Sequence, residues 1–298
     1  MDAKEIFPLF HQVLMNLAEC YTNTVEEEVA ASGINARDFY IGILAAKCFD
    51  PDPISAERLR KRIPYNAAAY YEATLGKLLE AEFLEAAPEG GYLLNQQGII
   101  IFRRTVSIVY RQMEACTSFS TTVMEDIKHL LAKLVQASLL SDDPPCKWSI
   151  LHSRRLDPGH NVAAIVKIDQ YLSDLTAYRD DAHLASWQQY GVSGHAWDIL
   201  GIVWQGKAAT IAELLPINEK RQWSEVETMA AIAELVKQSW LEKGAGLSLT
   251  QKGRSIREEA ESLTDQYFFA PWSILSDQEM NRLGELLTTL AETLEKKP

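Results

Sequence analysis

ATLGKLLEAEFLE (residues 73–85) and AAIAELVKQSWLE (residues 230–242) align without a gap at a constant offset of 157. Leu75 corresponds to Ile232, Leu78 to Leu235, Leu79 to Val236, Phe83 to Trp240 and Leu84 to Leu241. In each copy apolar residues recur at helical spacing and then give way to a short aromatic-Leu segment with strand character. A glycine-containing turn and a second apolar run follow both: Pro88, Glu89, Gly90 and Gly91 before Tyr92, Leu93 and Leu94; Gly244, Ala245 and Gly246 before Leu247, Ser248 and Leu249. A repeat at fixed offset marks a unit used twice.

Working outward, residues 4–31 predict a helix on the stripe Phe10, Val13, Leu14, Leu17, with Val25 and Val29 one further on. Residues 37–49 predict a buried helix stopped by Asp50, Pro51, Asp52 and Pro53, because proline neither continues a helix nor lets the residue before it stay helical. Ser55 is expected to cap a short helix ended by Pro64, and Asn66 the helix of the first repeat. Leu75, Leu78 and Leu79 are expected to face its core. Asn95 then caps a long helix to about Cys116, and Ser118 opens another to about Leu140. In the second half, residues 148–159 predict an extended connector, and residues 160–177 and 181–190 separate helices. Residues 194–204 match the buried helix. Thr210 caps a short helix ending near Pro216, Ser224 and Glu227 form a capping box, and Thr250 stands where Asn95 does. Ser276 opens the last helix, whose stripe Leu283, Leu286, Leu287, Leu290 mirrors Ile127, Leu130, Leu131, Leu134.

Helix, turn, helix, strand, glycine turn and strand describe a winged helix-turn-helix. The fold class expected is therefore mainly α with small β-wings, a tandem winged helix-turn-helix built by internal duplication. Residues 1–141 form the first unit, 142–159 the linker around Asp142, Asp143, Pro144 and Pro145, and 160–298 the second. This order resembles a MarR-type regulator subunit. The resemblance implies that two subunits, normally a dimer held by first and last helices, here form a pseudo-dimer in one chain acting as a monomer. The segments DDAHLASWQQYGVSG (180–194), RQWSEVE (221–227), LSLTQKGRSIREEAESLTDQ (247–266) and APWSIL (270–275) are similar to a family of bacterial tandem helix-turn-helix proteins of largely unassigned function. That similarity implies architecture more than activity.

The 298 residues are 47% hydrophobic and 23% charged, the balance of a globular protein with a real core. No apolar run reaches about 18 residues, and MDAKEIFPLF is no secretory leader, so a cytoplasmic protein without membrane contact is expected. Cys20, Cys48, Cys116 and Cys146 are far apart and form no CxxC, which implies neither a metal site nor a disulfide framework. The net charge of −12 requires any nucleic-acid surface to be a local basic patch.

Such a patch is offered by Arg58, Arg60, Lys61 and Arg62 ahead of the first recognition helix, with Asn66, Tyr70 and Lys77 on it. Lys220, Arg221 and Gln222 precede the second, and Lys243 lies in its wing. Opposing them, Glu225, Glu227 and Glu234 lie on the second recognition helix, and Glu85 and Glu89 on the first wing. Double-stranded DNA is the expected partner. MarR-type folds resembling this one also bind aromatic ligands, and His183, Trp187, His195 and Trp197 are the candidate residues for a small aromatic ligand. The plainer reading is that these rings fill an interface. Cys20 beside Tyr21 resembles the redox cysteine of some peroxide sensors, although no basic neighbour in sequence would activate it.

No G-x-S-x-G, P-loop, HExxH or dinucleotide fingerprint occurs, and no cofactor or enzymatic activity is expected. The function expected is a DNA-binding transcriptional regulator. Its rivals are a ligand-binding or protein-interaction module that has lost DNA binding, and a nucleic-acid repair enzyme.

Overall fold

Asp2 starts helix α1 (Ala3–Ala31) with a capping box: its carboxylate accepts from the Glu5 amide at 2.9 Å, and Glu5 accepts from the Asp2 amide at 2.7 Å. The computed structural model describes residues 1–116, 119–244 and 246–295. After α1 come α2 (Ala36–Asp38), a π-helical segment (Phe39–Leu44) and α3 (Ala45–Phe49), which together make one continuous helix over residues 36–49. Then follow α4 (Ala56–Arg62), α5 (Ala68–Glu80), β1 (Leu84–Ala86), β2 (Tyr92–Leu94), α6 (Gln96–Ala115) and α7 (Thr121–Leu140). The second half contains α8 (Trp148–Ser153), α9 (Ala164–Gln188), α10 (Gly194–Trp204), α11 (Ile211–Glu219), α12 (Glu225–Lys237), β3 (Leu241–Lys243), β4 (Leu247–Leu249), α13 (Gln251–Phe269) and α14 (Asp277–Glu295).

Apolar stripes sort these elements into three cores. In the central one Ile6, Phe10, Val13 and Leu17 of α1 meet Ile127, Leu130, Leu131 and Leu134 of α7, Ile168, Leu172 and Leu175 of α9, and Leu283, Leu287 and Leu290 of α14. Each such burial stabilises by about 1.5–3 kcal/mol before entropy is counted. A second core gathers Ile43, Phe49, Leu59, Leu75, Leu78 and Leu84, and a third Trp197, Leu200, Leu214, Ile232, Leu235 and Trp240.

Both flanking cores carry the same local geometry. The Phe83 amide donates to Leu78 O at 2.9 Å and the Trp240 amide to Leu235 O at 3.0 Å, closing α5 and α12 alike. Glu82 (φ 58°) and Ser239 (φ 59°), at the same offset of 157, take the left-handed turn that such an ending needs. The strands pair antiparallel as Leu84↔Leu94 and Leu241↔Leu249. Gly98 and Gly253 of NQQG and TQKG admit the strand carbonyls of Phe83 and Trp240. A Cβ would lie 2.2 Å and 2.0 Å from them, so a side chain is excluded at both positions.

Several expectations are corrected. The extended connector contains α8, because the Asp181 carboxylate accepts from the amides of Ser149 (2.7 Å) and Ile150 (2.9 Å) and caps it from a distant stretch of chain. The two helices expected over 160–177 and 181–190 are the single α9, since Asp181 is engaged by that cap and Asp174 by Arg154 (2.7 Å) and Ser153 (2.7 Å). Pro216 lies inside α11 rather than at its end. The N-cap of α5 is Ala67, with Asn66 turned to the Tyr71 hydroxyl at 3.1 Å. Leu79 and its counterpart Val236 are exposed rather than facing the core. Ser118 and Ala245 lie outside the described residues, and α7 is capped by Ser120.

Candidate nucleic-acid interface

The basic cluster does not form one outward face. Arg58 donates to Pro53 O at 2.6 Å. Arg60 lies 5.9 Å over the Trp223 ring, and Arg62 sits beside Cys48, Asp180 and Asp181. Lys61 is exposed, with Glu57 at 3.7 Å. On α5 the ring of Tyr70 is covered by the Arg37 guanidinium at 3.9 Å, while Ala69, Glu72, Ala73 and Lys77 are exposed. In the second half Arg221 turns inward to Asp198 at 2.7 Å, and Lys220 and Gln222 remain outside. The Lys243 side chain lies outside the described residues. The outer face of α12 shows Glu225, Val226 (79% exposed), Glu227, Ala230 and Ala233. Glu234 instead turns to Ser193, the N-cap of α10, accepting from its amide at 2.9 Å and its hydroxyl at 2.7 Å.

The inward-turned residues belong to a junction between the two turns. Pro64, Tyr65, Asn66 and Ala67, between α4 and α5, press on the turn between α11 and α12. The Ala67 amide donates to Arg221 O at 3.0 Å, and the Trp223 indole donates to Tyr65 O at 2.8 Å. The Tyr65 hydroxyl accepts from the Trp187 indole at 3.2 Å. Gly194 permits the approach, since a Cβ there would stand 2.5 Å from Pro64 O.

All four candidate ligand residues gather on the second-half side of this junction. Trp187 stacks on Trp197 at 5.5 Å and 9°, and His195 on Trp223 at 4.0 Å and 4°. His183 lies 6.4 Å from the Tyr65 ring. Burial pushes both histidines down to about 4, with Arg257 and Arg179 adding to the effect at His183. They are neutral near pH 7. Burial also lifts Asp198 to about 6 against the opposing pull of Arg221. Of the four, His183 and Trp187 pack against the ring of Tyr65, from the other half of the chain.

Tyr65, Asp198 and Arg257 are not among the candidates that the sequence singles out. The available signal is the contrast in residue type between Pro64, Tyr65, Asn66 and the corresponding Arg221, Gln222, Trp223; the turn differs in backbone as well, Gln222 taking a left-handed φ of 59° that Tyr65 does not. Among the described residues no group of His, Cys, Asp and Glu is placed to hold a metal. None of the described helices is long and apolar enough to cross a membrane.

The spacing of the turns bears on DNA. Gln222, Trp223 and Ser224 alone separate Arg221 from α12, and a chain spans at most about 3.5 Å per residue, so the starts of α5 and α12 lie within about 20 Å. Recognition helices set in successive major grooves stand about 34 Å apart. In this arrangement the two helix starts do not address two half-sites one helical turn apart.

Residues 175–297 match the model of a helix-turn-helix family, and the second half carries a helix-turn-helix domain. No curated protein and no solved structure matches the chain.

Proposed function

We propose that the chain is a DNA-binding transcriptional regulator of MarR-like architecture, a monomer in which two winged helix-turn-helix units act as one locked pair on duplex DNA. The carrying observation is that the first half repeats the helix ending, left-handed residue, hairpin pairing and close-approach glycine of the matched helix-turn-helix half. The reading is of a binding protein, not an enzyme. Of the basic candidates around the two turns, Lys61, Lys77 and Lys220 are exposed and free to meet phosphates, as are Lys252 and Arg254 behind the second wing, and Gln222 is an exposed polar tip between α11 and α12.

Selection of bound duplexes from fragmented genomic DNA at two salt concentrations tests this. The expected outcome is enrichment of a compact site, weakening steeply with salt. Replacing Lys61, Lys77 and Lys220 by alanine should lower the salt slope by about one for each phosphate that is no longer neutralised. No enrichment at low salt would overturn the reading. It would favour a protein-interaction or ligand-binding module instead, for which the observation is the alanine, valine and glutamate face of α12: carboxylates repel phosphates.

A further inference from the structure

We propose that the outer face of α12 is an interface to a second copy of this chain, in which the two α12 helices lie antiparallel and cover one another. α12 buries Thr228, Ala231, Ile232 and Leu235 against its own half. On the opposite side Val226, Ala230, Ala233 and Lys237 follow at steps of four, three and four, which sets them in one line along the helix. Val226 is 79% exposed, the most exposed of the large apolar side chains among the described residues, and Val236 at 40% widens the line toward the wing. Contiguous apolar surface of this kind marks an interaction site, whereas single exposed apolar residues do not.

The charges on the face say what covers it. Its start carries Glu225 and Glu227 and its end Lys237, while Glu234 is turned aside to Ser193. The acidic start repels phosphates at the place where a helix-turn-helix meets its duplex. A second α12 run antiparallel answers both ends. With the two-fold axis midway between Ala230 and Ala233, Ala230 of each copy faces Ala233 of the other. Val226 then comes opposite Val236 and Lys237, and Lys237 reaches the carboxylates of Glu225 and Glu227. Small side chains at the crossing let the helix axes approach to about 8 Å, and the two helix dipoles run head to tail. A hollow of about 800 Å³ lined by Val236, Leu241 and Leu247 stands open where Val226 of the other copy arrives. The first half offers no equivalent: at the corresponding positions α5 carries Ala69 for Val226, Glu72 for Met229 and Glu80 for Lys237.

The size of the face sets the strength of the pair. α12 has 13 residues, so two such helices side by side bury less than the roughly 1,200 Å² of a stable interface, and the association belongs to the transient class. The single chain predominates when dilute, and it is the form proposed above to meet DNA. The pair covers the outer face of α12 and withdraws it from a duplex. The pairing itself does not rest on DNA binding, so it and the regulator reading fail separately.

Sedimentation equilibrium of the full chain over a concentration series tests it, with Val226→Glu, Lys237→Glu and Glu225→Lys/Lys237→Glu alongside. Every altered side chain is exposed, so the fold is retained, and circular dichroism checks this. The expected result is a monomer–dimer equilibrium with a Kd of about 0.1 mM, the range of a contact of this size. Val226→Glu should weaken it about tenfold or more, because it sets an unpaired carboxylate between the helices. Lys237→Glu should weaken it too, and adding Glu225→Lys, which exchanges the charges of the two ends, should recover most of the loss. Absence of a dimer at about 0.5 mM overturns the proposal and leaves the face to DNA or to another protein. A dimer indifferent to Val226→Glu lies on another surface, and a charge exchange that recovers nothing removes the antiparallel arrangement. Either result overturns the proposal equally.

Discussion

The turn before α5 and the turn before α12 occupy the same place in the repeat and do opposite work. Tyr65 corresponds to Gln222 and Asn66 to Trp223 at the offset of 157, yet the first turn is inserted and the second receives it. Gly194, which admits Pro64, corresponds to Arg37, an exposed residue stacked on Tyr70. Two stretches with the same helix ending and hairpin thus differ in the residues that face one another and agree in those that build each stretch from within. Local backbone form and mutual contact are specified by different positions.

The sharpest way to break this comparison is to truncate both turns. Tyr65→Ala should destabilise by about 2–4 kcal/mol, as removal of a packed ring does, whereas Gln222→Ala should stay within about 0.5 kcal/mol. Urea unfolding measures both, and equal effects would dissolve the distinction between inserted and receiving turn. Gly194→Ala tests the receiving side. Alanine is the better helix former, so a destabilisation of about 1–3 kcal/mol there reports the clash with Pro64 rather than a weakened helix. Tyr65→Phe keeps the ring and drops only the bond from Trp187; about 1 kcal/mol is expected to go.

The smallest effect lies in the pH dependence. His195 titrates at about 4 in the folded chain against 6.5 for the free side chain. As pH falls below about 6.5 the unfolded chain takes up a proton that the folded chain refuses. Stability from this group is therefore full above 6.5 and declines progressively down to about 4. Asp198, raised to about 6, opposes it, because the folded chain keeps a proton that the unfolded chain has released. The difference between the unaltered chain and His195→Gln isolates the histidine. It should amount to roughly 0.5–1 kcal/mol at pH 6 relative to pH 8. A difference that does not vary with pH would mean that the stacked imidazole is not held neutral.

The parts legible in the sequence are those written locally. Ser55, Asn95, Thr210, Ser224, Thr250 and Ser276 all read as helix caps, and the side chain of each accepts from the amide three residues on. A cap needs only its own next turn, so periodicity and residue type suffice to find it. The illegible parts depend on distant partners. The cap of α8 is Asp181, 32 residues from Ser149, and without it residues 148–159 look extended. Asn66 looks like a cap because it stands before a helix, but the next residue's amide is claimed by Arg221 from the other half. The candidate site follows the same rule. The aromatic residues of the second half can be picked out as a group, but what packs against them cannot, since Tyr65 and Trp187 are 122 positions apart. The arginines of α4 look like a surface patch for the same reason: their partners lie elsewhere in the chain, Trp223 and Asp180 in the other half among them.

The packing of the Tyr65 ring against His183 and Trp187 also carries a consequence for symmetry. In a dimer of identical chains related by a two-fold axis, one residue must serve at each position in both copies, so the contact has to be complementary to itself. A two-fold dimer would make every such contact twice; this chain makes the Tyr65 contact once, since Gln222 stands at the corresponding position. Once both halves lie on one chain that constraint is gone, and each is free to specialise. Covalent continuity here does more than keep the halves close. It is what allows them to be unequal, and so to hold each other by a contact made once rather than in duplicate.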